Sequence, residues 1–162
     1  MKNIVPTTFS INEASVRTQY GAICWRMIAG RVQVLLITSR DTGRWVIPKG
    51  WPVKDLPPEF SAAQEAFEEA GVMGDVSGQC LGLYAYEKSL VRIPGQEASV
   101  PCMVAVYPMR VSQLLDQFPE AAQRRRKWFA PQKAARRVAE PELQALLAAF
   151  SPETAAPAGG IS

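Results

Sequence analysis

The 162-residue chain contains no histidine. This excludes a catalytic triad or dyad built on histidine and any zinc site with histidine ligands. If the protein is an enzyme, its acid–base and metal chemistry must come mostly from carboxylates, with lysine, tyrosine or cysteine in support. Carboxylates are therefore the first candidates for functional side chains.

Cysteine is scarce as well. Cys24, Cys80 and Cys102 are scattered and odd in number, and no C-x-x-C pair occurs. This pattern argues against a disulfide framework or a zinc ribbon and fits a reducing cytoplasm. No apolar run reaches the roughly 18–20 residues needed to cross a bilayer, and the N-terminal residues do not resemble a signal peptide. We therefore expect a cytoplasmic protein that does not cross a membrane.

Length and composition favour one folded domain. Hydrophobic residues make up 48% of the chain and charged residues 20%, a mixture typical of globular proteins. We place the domain at residues 16–150. Residues 1–15 are expected to form an N-terminal extension, and the Pro/Gly-rich residues 151–162 are expected to form a disordered C-terminal tail.

The net charge of +3 is unevenly spread along the chain. Arg124–Lys127 reads RRRK, and a second basic pair occupies Arg136 and Arg137. A basic cluster of this kind is either a solvated face or a contact surface for phosphates, which belong to nucleic acid or to a polyphosphorylated small molecule. The pattern by itself leaves both interpretations open.

Hydrophobic periodicity and turn signals predict an α+β or α/β fold with a mixed sheet. Ala29-Gly30 predicts a hairpin turn, while Pro101 and Pro108 indicate edge positions or bulges in their strand. Strands are expected at residues 19–27, 31–39, 44–48, 80–89, 99–110 and 124–130, and helices at about 58–70, 131–138 and 140–150.

Three glutamates, Glu65, Glu68 and Glu69, share one face of the first predicted helix. Glu65 and Glu69 stand at i and i+4, where uncompensated like charges destabilise a helix by a few tenths of a kcal/mol. No lysine or arginine occurs between residues 55 and 72. A cation from outside the helix would explain the cluster, and oxygen ligands favour Mg²⁺ or Mn²⁺. A solvated surface helix is the alternative, and the cluster alone does not decide between them.

The spacing around this helix is more specific than its charge. Gly50 precedes Gln64 by fourteen positions, and QEAFEEAGV follows. The stretch resembles the Nudix box, G-x5-E-x7-R-E-U-x-E-E-x-G-U, in which U is aliphatic. Leu56 stands where that motif has its first glutamate, and Gln64 stands where it has its arginine.

The resemblance covers roughly Val16 to Phe150 and is greatest to hydrolases of the diphosphoinositol polyphosphate and diadenosine polyphosphate type. It implies a Nudix-type α/β/α sandwich, with a mixed central β-sheet and a loop–helix–loop that holds Mg²⁺ or Mn²⁺. It also implies hydrolysis of a phosphoanhydride bond in a nucleoside-diphosphate-X or another polyphosphorylated small molecule. By motif position, Glu65, Glu68 and Glu69 are the metal ligands and catalytic residues, and Gly50 contributes its backbone carbonyl.

Basic and aromatic residues near the box are the candidates for substrate binding. Arg40, Arg44 and Lys49 lie on or beside strand ends that lead into it, where they would meet phosphates. Trp51 would either stack on a base or pack against the loop, and the sequence favours packing. Some members of the family use a further glutamate from a later strand or loop, for which Glu87 and Glu97 are the candidates.

Leu56 and Gln64 keep a second hypothesis open, a catalytically weak or inactive Nudix-like module that binds a phosphorylated ligand. A third, ranked last, is a nucleic-acid binder that uses the RRRK cluster. The expected partner is a phosphorylated small-molecule substrate, with neither nucleic acid nor membrane, and the chain is expected to be a monomer or a homodimer.

Overall fold

A computed structural model of the chain describes residues 16–90, 95 and 98–155. Residues 1–15 and 156–162, which include most of the two predicted terminal segments, lie outside the described residues, as does Glu97. Of the predicted tail, residues 151–155 are described; they form turns, and Ala155 is buried against the core. No helix in this described part is both long enough and apolar enough to span a membrane.

The strands are β1 (Arg17–Ile28), β2 (Arg31–Thr38), β3 (Trp45–Val46), β4 (Lys49–Gly50), β5 (Val72–Val76), β6 (Gly82–Ser89), β7 (Ser99–Leu114) and β8 (Arg126–Phe129). The helices are α1 (Pro58–Ala70), α2 (Pro131–Arg137) and α3 (Pro141–Ala148). All strands join one sheet, in which β3-β2-β1-β7-β5 are successive neighbours, β4 pairs with β1, β6 with β7 and β8 with β2. The β1–β7 pairing is parallel and the others are antiparallel, which confirms the predicted mixed sheet.

The predicted hairpin between β1 and β2 is confirmed. Ala29 (φ 51°) and Gly30 (φ 78°) are both left-handed, as a two-residue type I′ turn requires. Glycine adopts this conformation without strain, whereas Ala29 does so at some cost. Ile28 pairs with Arg31 across the turn, which sets the register of the two strands.

Strand β7 is central, so its two prolines do not mark an edge strand as expected. Each proline lies instead at a point where the strands that pair with β7 change. Pro101 precedes Cys102, the residue at which pairing with β1 begins, so β7 has only β6 as its partner there. Pro108 falls between the residues paired with β6, which end at Val106, and those paired with β5, which begin at Met109. Proline has no backbone N–H to donate. This is tolerated at such positions because no neighbouring strand is paired there on one side of β7.

The sheet carries a hydrophobic core on each face, because successive strand residues point to opposite sides. In β2, Val34 and Leu36 belong to one core, while Leu35 and Ile37 belong to the other. Helices α2 and α3 cover the first face through residues such as Leu143. Helix α1 covers the second through its buried alanines Ala62, Ala66 and Ala70. This arrangement confirms the expected α/β/α layering.

Helix α1 is fixed at both ends. Pro58 occupies its first turn, and Gly71 (φ 70°) ends it in the left-handed conformation, with its N–H donated to the Phe67 carbonyl at 2.9 Å. Arg126 adds a second constraint, since its Nη1 donates to the carbonyls of Ala70 (2.9 Å) and Leu115 (2.7 Å). A cation at this end satisfies carbonyls that the helix leaves unpaired. The glutamate face is thereby held in a defined position.

Candidate active site

A cavity of about 310 Å³ opens between the loop after β2, strand β4 and helix α1. It is lined by all but one of the residues predicted to form the site, and Glu68 is the exception. The predicted residues in its lining are Arg40, Arg44, Lys49, Gly50, Glu65 and Glu69. These residues come from three separate segments of the chain, which meet at one place.

Gly50 is required by close packing against helix α1. Strand β4 pairs with β1 through Tyr20 and Gly50, which lays the main chain of Gly50 directly against the Glu65 side chain. A Cβ atom at position 50 would overlap the Glu65 carboxylate. Glycine is needed here for space, because its φ lies outside the left-handed region.

Glu65 is the most strongly perturbed carboxyl group of the site. Burial raises its pKa from 4.5 to about 8, and the neighbouring carboxylates of Glu69 and Glu68 add to the effect. A side-chain hydrogen bond links Glu65 with Glu69. Without a cation, the surroundings of Glu65 therefore favour its protonated form.

Glu69 differs from Glu65 because it has cationic partners. Its Oε1 accepts a hydrogen bond from the backbone N–H of Lys49 at 3.3 Å, and its Oε2 lies 3.3 Å from Nη2 of Arg124. Burial raises the pKa of Glu69, while the charges of Arg124 and Lys49 oppose that rise. Glu69 is thus held in one orientation from two sides.

Glu68 is outside the cavity lining and has a neutral partner. Nε2 of Gln64 donates to Oε2 of Glu68 at 2.8 Å, an i,i+4 contact on the surface of the helix. Gln64 thus contacts Glu68, and it is not among the residues that line the cavity.

Glu120 and Arg124 also line the cavity. Glu120 was not predicted to lie there, and Arg124 was predicted only as part of the RRRK cluster, a possible contact surface for phosphates. Both follow β7, where Nε of Arg124 donates to Oε1 of Glu120 at 2.7 Å. The N–H of Glu120 donates to the carbonyl of Glu68 at 3.1 Å, which ties this segment to α1. Their i,i+4 spacing within a basic stretch was the only signal in the sequence, and it did not indicate what they contact.

The three predicted substrate residues differ in how freely they face the cavity. Lys49 is half-buried, with Nζ 4.8 Å from the ring centroid of Tyr86, and desolvation lowers its pKa. Arg44 is committed to an ion pair, because its Nη2 lies 2.8 Å from Oε2 of the buried Glu140. The side chain of Arg40 is 54% exposed, which leaves it the most accessible of the three.

The RRRK cluster does not form a single face. Arg124 enters the cavity, and Arg126 binds the end of α1 as described above. The guanidinium of Arg125 lies 5.6 Å from the ring centroid of Trp45, and Nζ of Lys127 lies 5.5 Å from that of Phe129. Two of the four cations therefore have internal roles.

Trp51 and Glu87 both line the cavity. Trp51 is 36% exposed, and the cations of Arg17 and Lys88 each lie 6.0 Å from its ring. Oε1 of Glu87 accepts a hydrogen bond from Oγ of Ser99 at 2.9 Å. Trp51 is thus partly exposed at the cavity with two cations near its ring, and Glu87 already has a protein partner.

The donor set suits a hard divalent cation in its chemistry. Glu65 and Glu69 are adjacent carboxylates in the place where a cation would neutralise both, and the main chain of Gly50 lies against Glu65. No group of three or more metal-ligating side chains comes together within the described residues. Two carboxylates, with the main chain of Gly50 beside one of them, are therefore what this arrangement offers to a metal ion.

No protein-family profile matches the chain, but curated proteins do. It is 30% identical over 128 residues to "Nudix hydrolase 21, chloroplastic" of Arabidopsis thaliana, which covers 76% of this chain and 60% of that protein. It is 28% identical over 114 residues to diphosphoinositol polyphosphate phosphohydrolase 3-alpha of Homo sapiens, which covers 69% and 63%. The chain thus spans less than two thirds of the length of these relatives.

Solved structures share the fold. A C. elegans Ap4A hydrolase in a binary complex superposes with a TM-score of 0.56 at 22% identity, over 86% of this chain and 98% of that one. The E. coli dihydroneopterin triphosphate pyrophosphohydrolase superposes with a TM-score of 0.60 at 13% identity, over 86% and 99%. These likenesses concern the fold, and they confirm the mixed-sheet architecture predicted from the sequence.

Proposed function

Because this chain belongs to the Nudix superfamily, we propose that it is a pyrophosphohydrolase that cleaves phosphoanhydride bonds with the help of Mg²⁺ or Mn²⁺. The observation that carries the proposal is one cavity whose lining combines the Glu65–Glu69 pair and Gly50 with Lys49 and Arg40. Acidic groups that bind a cation and basic groups that bind phosphate are both needed for this reaction, and this lining contains both.

The site residues have distinct roles in this proposal. Glu65, Glu69 and the carbonyl of Gly50 would hold the cation, and Glu68 would supply a further carboxylate from the next position on the helix. When bound, the cation would neutralise charge on the phosphoryl oxygens and lower the pKa of a bound water. The glutamate least committed to the cation would accept a proton from the attacking water.

The basic residues of the cavity would orient the phosphates. Lys49 and Arg40 both line the cavity, and Arg44 would add to the positive potential while it remains paired with Glu140. Positioning of this kind brings the phosphorus and the water together in a reactive geometry.

The proposed substrate is a diadenosine polyphosphate or a diphosphoinositol polyphosphate. The support is the name of a relative, a diphosphoinositol polyphosphate phosphohydrolase, and the fold shared with an Ap4A hydrolase. The concentration of arginine and lysine around one cavity agrees with a ligand that carries several phosphates. We place the responsible domain at residues 16–150 and the protein in the cytoplasm, as a monomer or homodimer.

A panel of these two substrate classes, each assayed with Mg²⁺ and with Mn²⁺, tests the proposal. The expected result is metal-dependent release of a nucleotide or of phosphate, and hydrolysis in ¹⁸O-labelled water would show which phosphorus is attacked. Addition of EDTA should abolish the release. Absence of turnover with every substrate and both metals would refute the enzymatic function.

A second candidate is a Nudix-like module that binds a phosphorylated ligand without turning it over. Two departures from the box favour it: Leu56 is exposed in place of an acidic residue, and Gln64 is uncharged. This candidate predicts that the ligand raises the melting temperature equally in the native chain and in the Glu69→Gln variant. It also predicts that Gln64→Arg brings no gain in activity.

Nucleic-acid binding receives little support, because Arg124 and Arg126 point into the protein. A binder of that kind would show an affinity that falls steeply with salt concentration. A flat salt dependence of retention on single- or double-stranded DNA would eliminate this function.

A further inference from the structure

Helix α1 lacks a charged partner of its own for the cavity glutamates. The residue at position 64 is a glutamine, and its side chain contacts Glu68, which lies outside the cavity lining. Glu65 and Glu69 remain side by side with no lysine or arginine between residues 55 and 72. A compensating cation must therefore come from elsewhere in the fold or from solution.

Arg124 is a cation in the right place. Its Nη2 lies 3.3 Å from Oε2 of Glu69, on the opposite carboxylate oxygen from the one that accepts the Lys49 N–H. The side chain of Arg124 is 7% exposed and that of Glu69 is 12% exposed. A pair that is shielded from water interacts more strongly than one on the surface, because the solvent screens it less.

The guanidinium of Arg124 is also held rigidly, since each of its three nitrogens has a different partner. Nε donates to Oε1 of Glu120 at 2.7 Å, and Nη1 donates to the carbonyl of Thr38 at 3.0 Å. Nη2 is then left to face Glu69. Three donors in one plane fix the position of the group in a way that a flexible lysine would not.

We propose that Arg124 is a positioning residue that orients Glu69 and supplies its counter-charge from outside helix α1. The inference rests on the proposed function, because it concerns the carboxylates that would hold the metal. Arg124 takes no part in bond breaking. It acts through Glu69, and its own position depends on Glu120 and Thr38.

Arg125 provides a matched control for this role. It is the next residue, it carries the same charge, and its guanidinium lies over Trp45 and outside the cavity lining. Arg124→Gln and Arg125→Gln therefore change the net charge equally, and only the first removes the partner of Glu69. Arg124→Lys keeps the charge but loses the planar group that contacts Glu120, Thr38 and Glu69 at the same time.

The test measures steady-state kinetics and the rise in melting temperature that saturating Mn²⁺ produces in each variant. Arg124→Gln should lower kcat by about 10- to 100-fold, as removal of a residue that orients a metal ligand does, with a much smaller change in KM. Arg125→Gln should leave kcat unchanged, and Arg124→Lys should fall between the two. The Mn²⁺-induced rise in melting temperature should be larger in Arg124→Gln than in Arg125→Gln by about 2–4 °C, because the metal replaces the lost charge.

The inference is overturned if Arg124→Gln and Arg125→Gln show the same kcat, or if Mn²⁺ raises the melting temperature of both by the same amount. A purely structural role for Arg124 would give that second result, with equal destabilisation in the presence and absence of metal. If the native chain shows no turnover, the proposed function fails while the Mn²⁺ measurement still decides the role of Arg124. Arg124→Lys and Arg125→Lys allow the same comparison if Arg124→Gln does not fold.

Discussion

Glu68 and Glu69 are neighbours on helix α1, yet their surroundings differ in every respect that matters for chemistry. Glu69 lies in the cavity, is 12% exposed and faces Arg124 together with the Lys49 N–H. Glu68 is outside the cavity lining and accepts one hydrogen bond from the neutral Gln64. A rotation of about 100° between successive helical residues separates these two environments.

The comparison shows that a run of like residues in a motif does not have uniform properties. Burial and two cationic groups hold Glu69 in one orientation, whereas a single amide partner at the helix surface leaves Glu68 free to move at little energetic cost. We therefore expect substitutions on the cavity face to have larger effects than the same substitutions one position away.

The largest effect is expected from Glu69→Gln. Loss of this carboxylate removes a proposed metal ligand and leaves Arg124 without its partner, so kcat should fall by at least about 100-fold. Glu68→Gln should lower kcat by only about 10-fold, since its carboxylate is outside the cavity lining. Kinetic assays at saturating Mg²⁺ measure both, with circular dichroism as a check on folding. An equal fall in kcat in the two variants would show that a glutamate's contribution to turnover does not depend on whether it lines the cavity.

Gly50→Ala should be next, because its added Cβ would overlap the Glu65 carboxylate. Overpacking of this kind destabilises a protein by about 1–3 kcal/mol, and displacement of Glu65 should also reduce turnover. Urea denaturation gives the free energy of unfolding. Gly78→Ala is the control, since its Cβ would come no closer than 3.1 Å to the Glu59 carboxylate and would not overlap it. Similar destabilisation in the two variants would contradict the close packing of Gly50 on α1.

A smaller effect is expected from pH in the absence of metal. The pKa of Glu65 is about 8 in the folded chain and 4.5 as a reference, so between these values only the folded state keeps the proton. The free energy of unfolding should therefore fall as the pH rises from about 4.5 to about 8 and level off above that. Glu65→Gln should remove this component of the slope.

Urea denaturation at several pH values in EDTA measures this dependence. Glu142→Gln, an exposed position on α3, is the control and should keep the slope of the native chain. Addition of Mn²⁺ at pH 7 should release protons from the native chain, because the cation displaces the proton that Glu65 holds. An identical pH slope in Glu65→Gln and Glu142→Gln would exclude Glu65 as its source.

The smallest effect is expected from Gln64→Arg. An arginine at this position would form an i,i+4 pair with Glu68 on the helix surface, which stabilises a helix by at most about 0.5 kcal/mol. Because Arg124 already faces Glu69, kcat should change by less than about threefold. Thermal denaturation and kinetics measure both quantities. A large gain in kcat would contradict the proposal that Arg124 already orients Glu69.

Much of the fold was predictable because its signals are local. The hairpin at Ala29-Gly30 and the limits of α1 at Pro58 and Gly71 follow from turn and capping preferences that involve only neighbouring residues. Strands β4 and β5 were missed. Residues Lys49–Gly50 form a strand only because they pair with β1, and Val72–Val76 carry a glycine and an aspartate that weaken a strand pattern.

The site was predictable to a similar degree. Gly50, Glu65 and Glu69 come together as the spacing of the box implied, since a fixed loop and helix connect them. Glu120 was not predicted as a site residue, and Arg124 was predicted only as one of four basic residues that could contact phosphate. Their contact with α1 depends on where the segment after β7 returns to the sheet. No local pattern in the chain reports that path.

The sequence by itself determined that three glutamates share a helical face without a nearby cation, because the geometry of a helix follows from the order of its residues. Only the tertiary structure decided which glutamates enter the cavity and which cation faces them. Arg124 reaches Glu69 across the fold, and an ion pair between distant segments depends on the packing of the whole sheet. The charge that helix α1 lacks is supplied in this way by a residue that no local pattern connects to it.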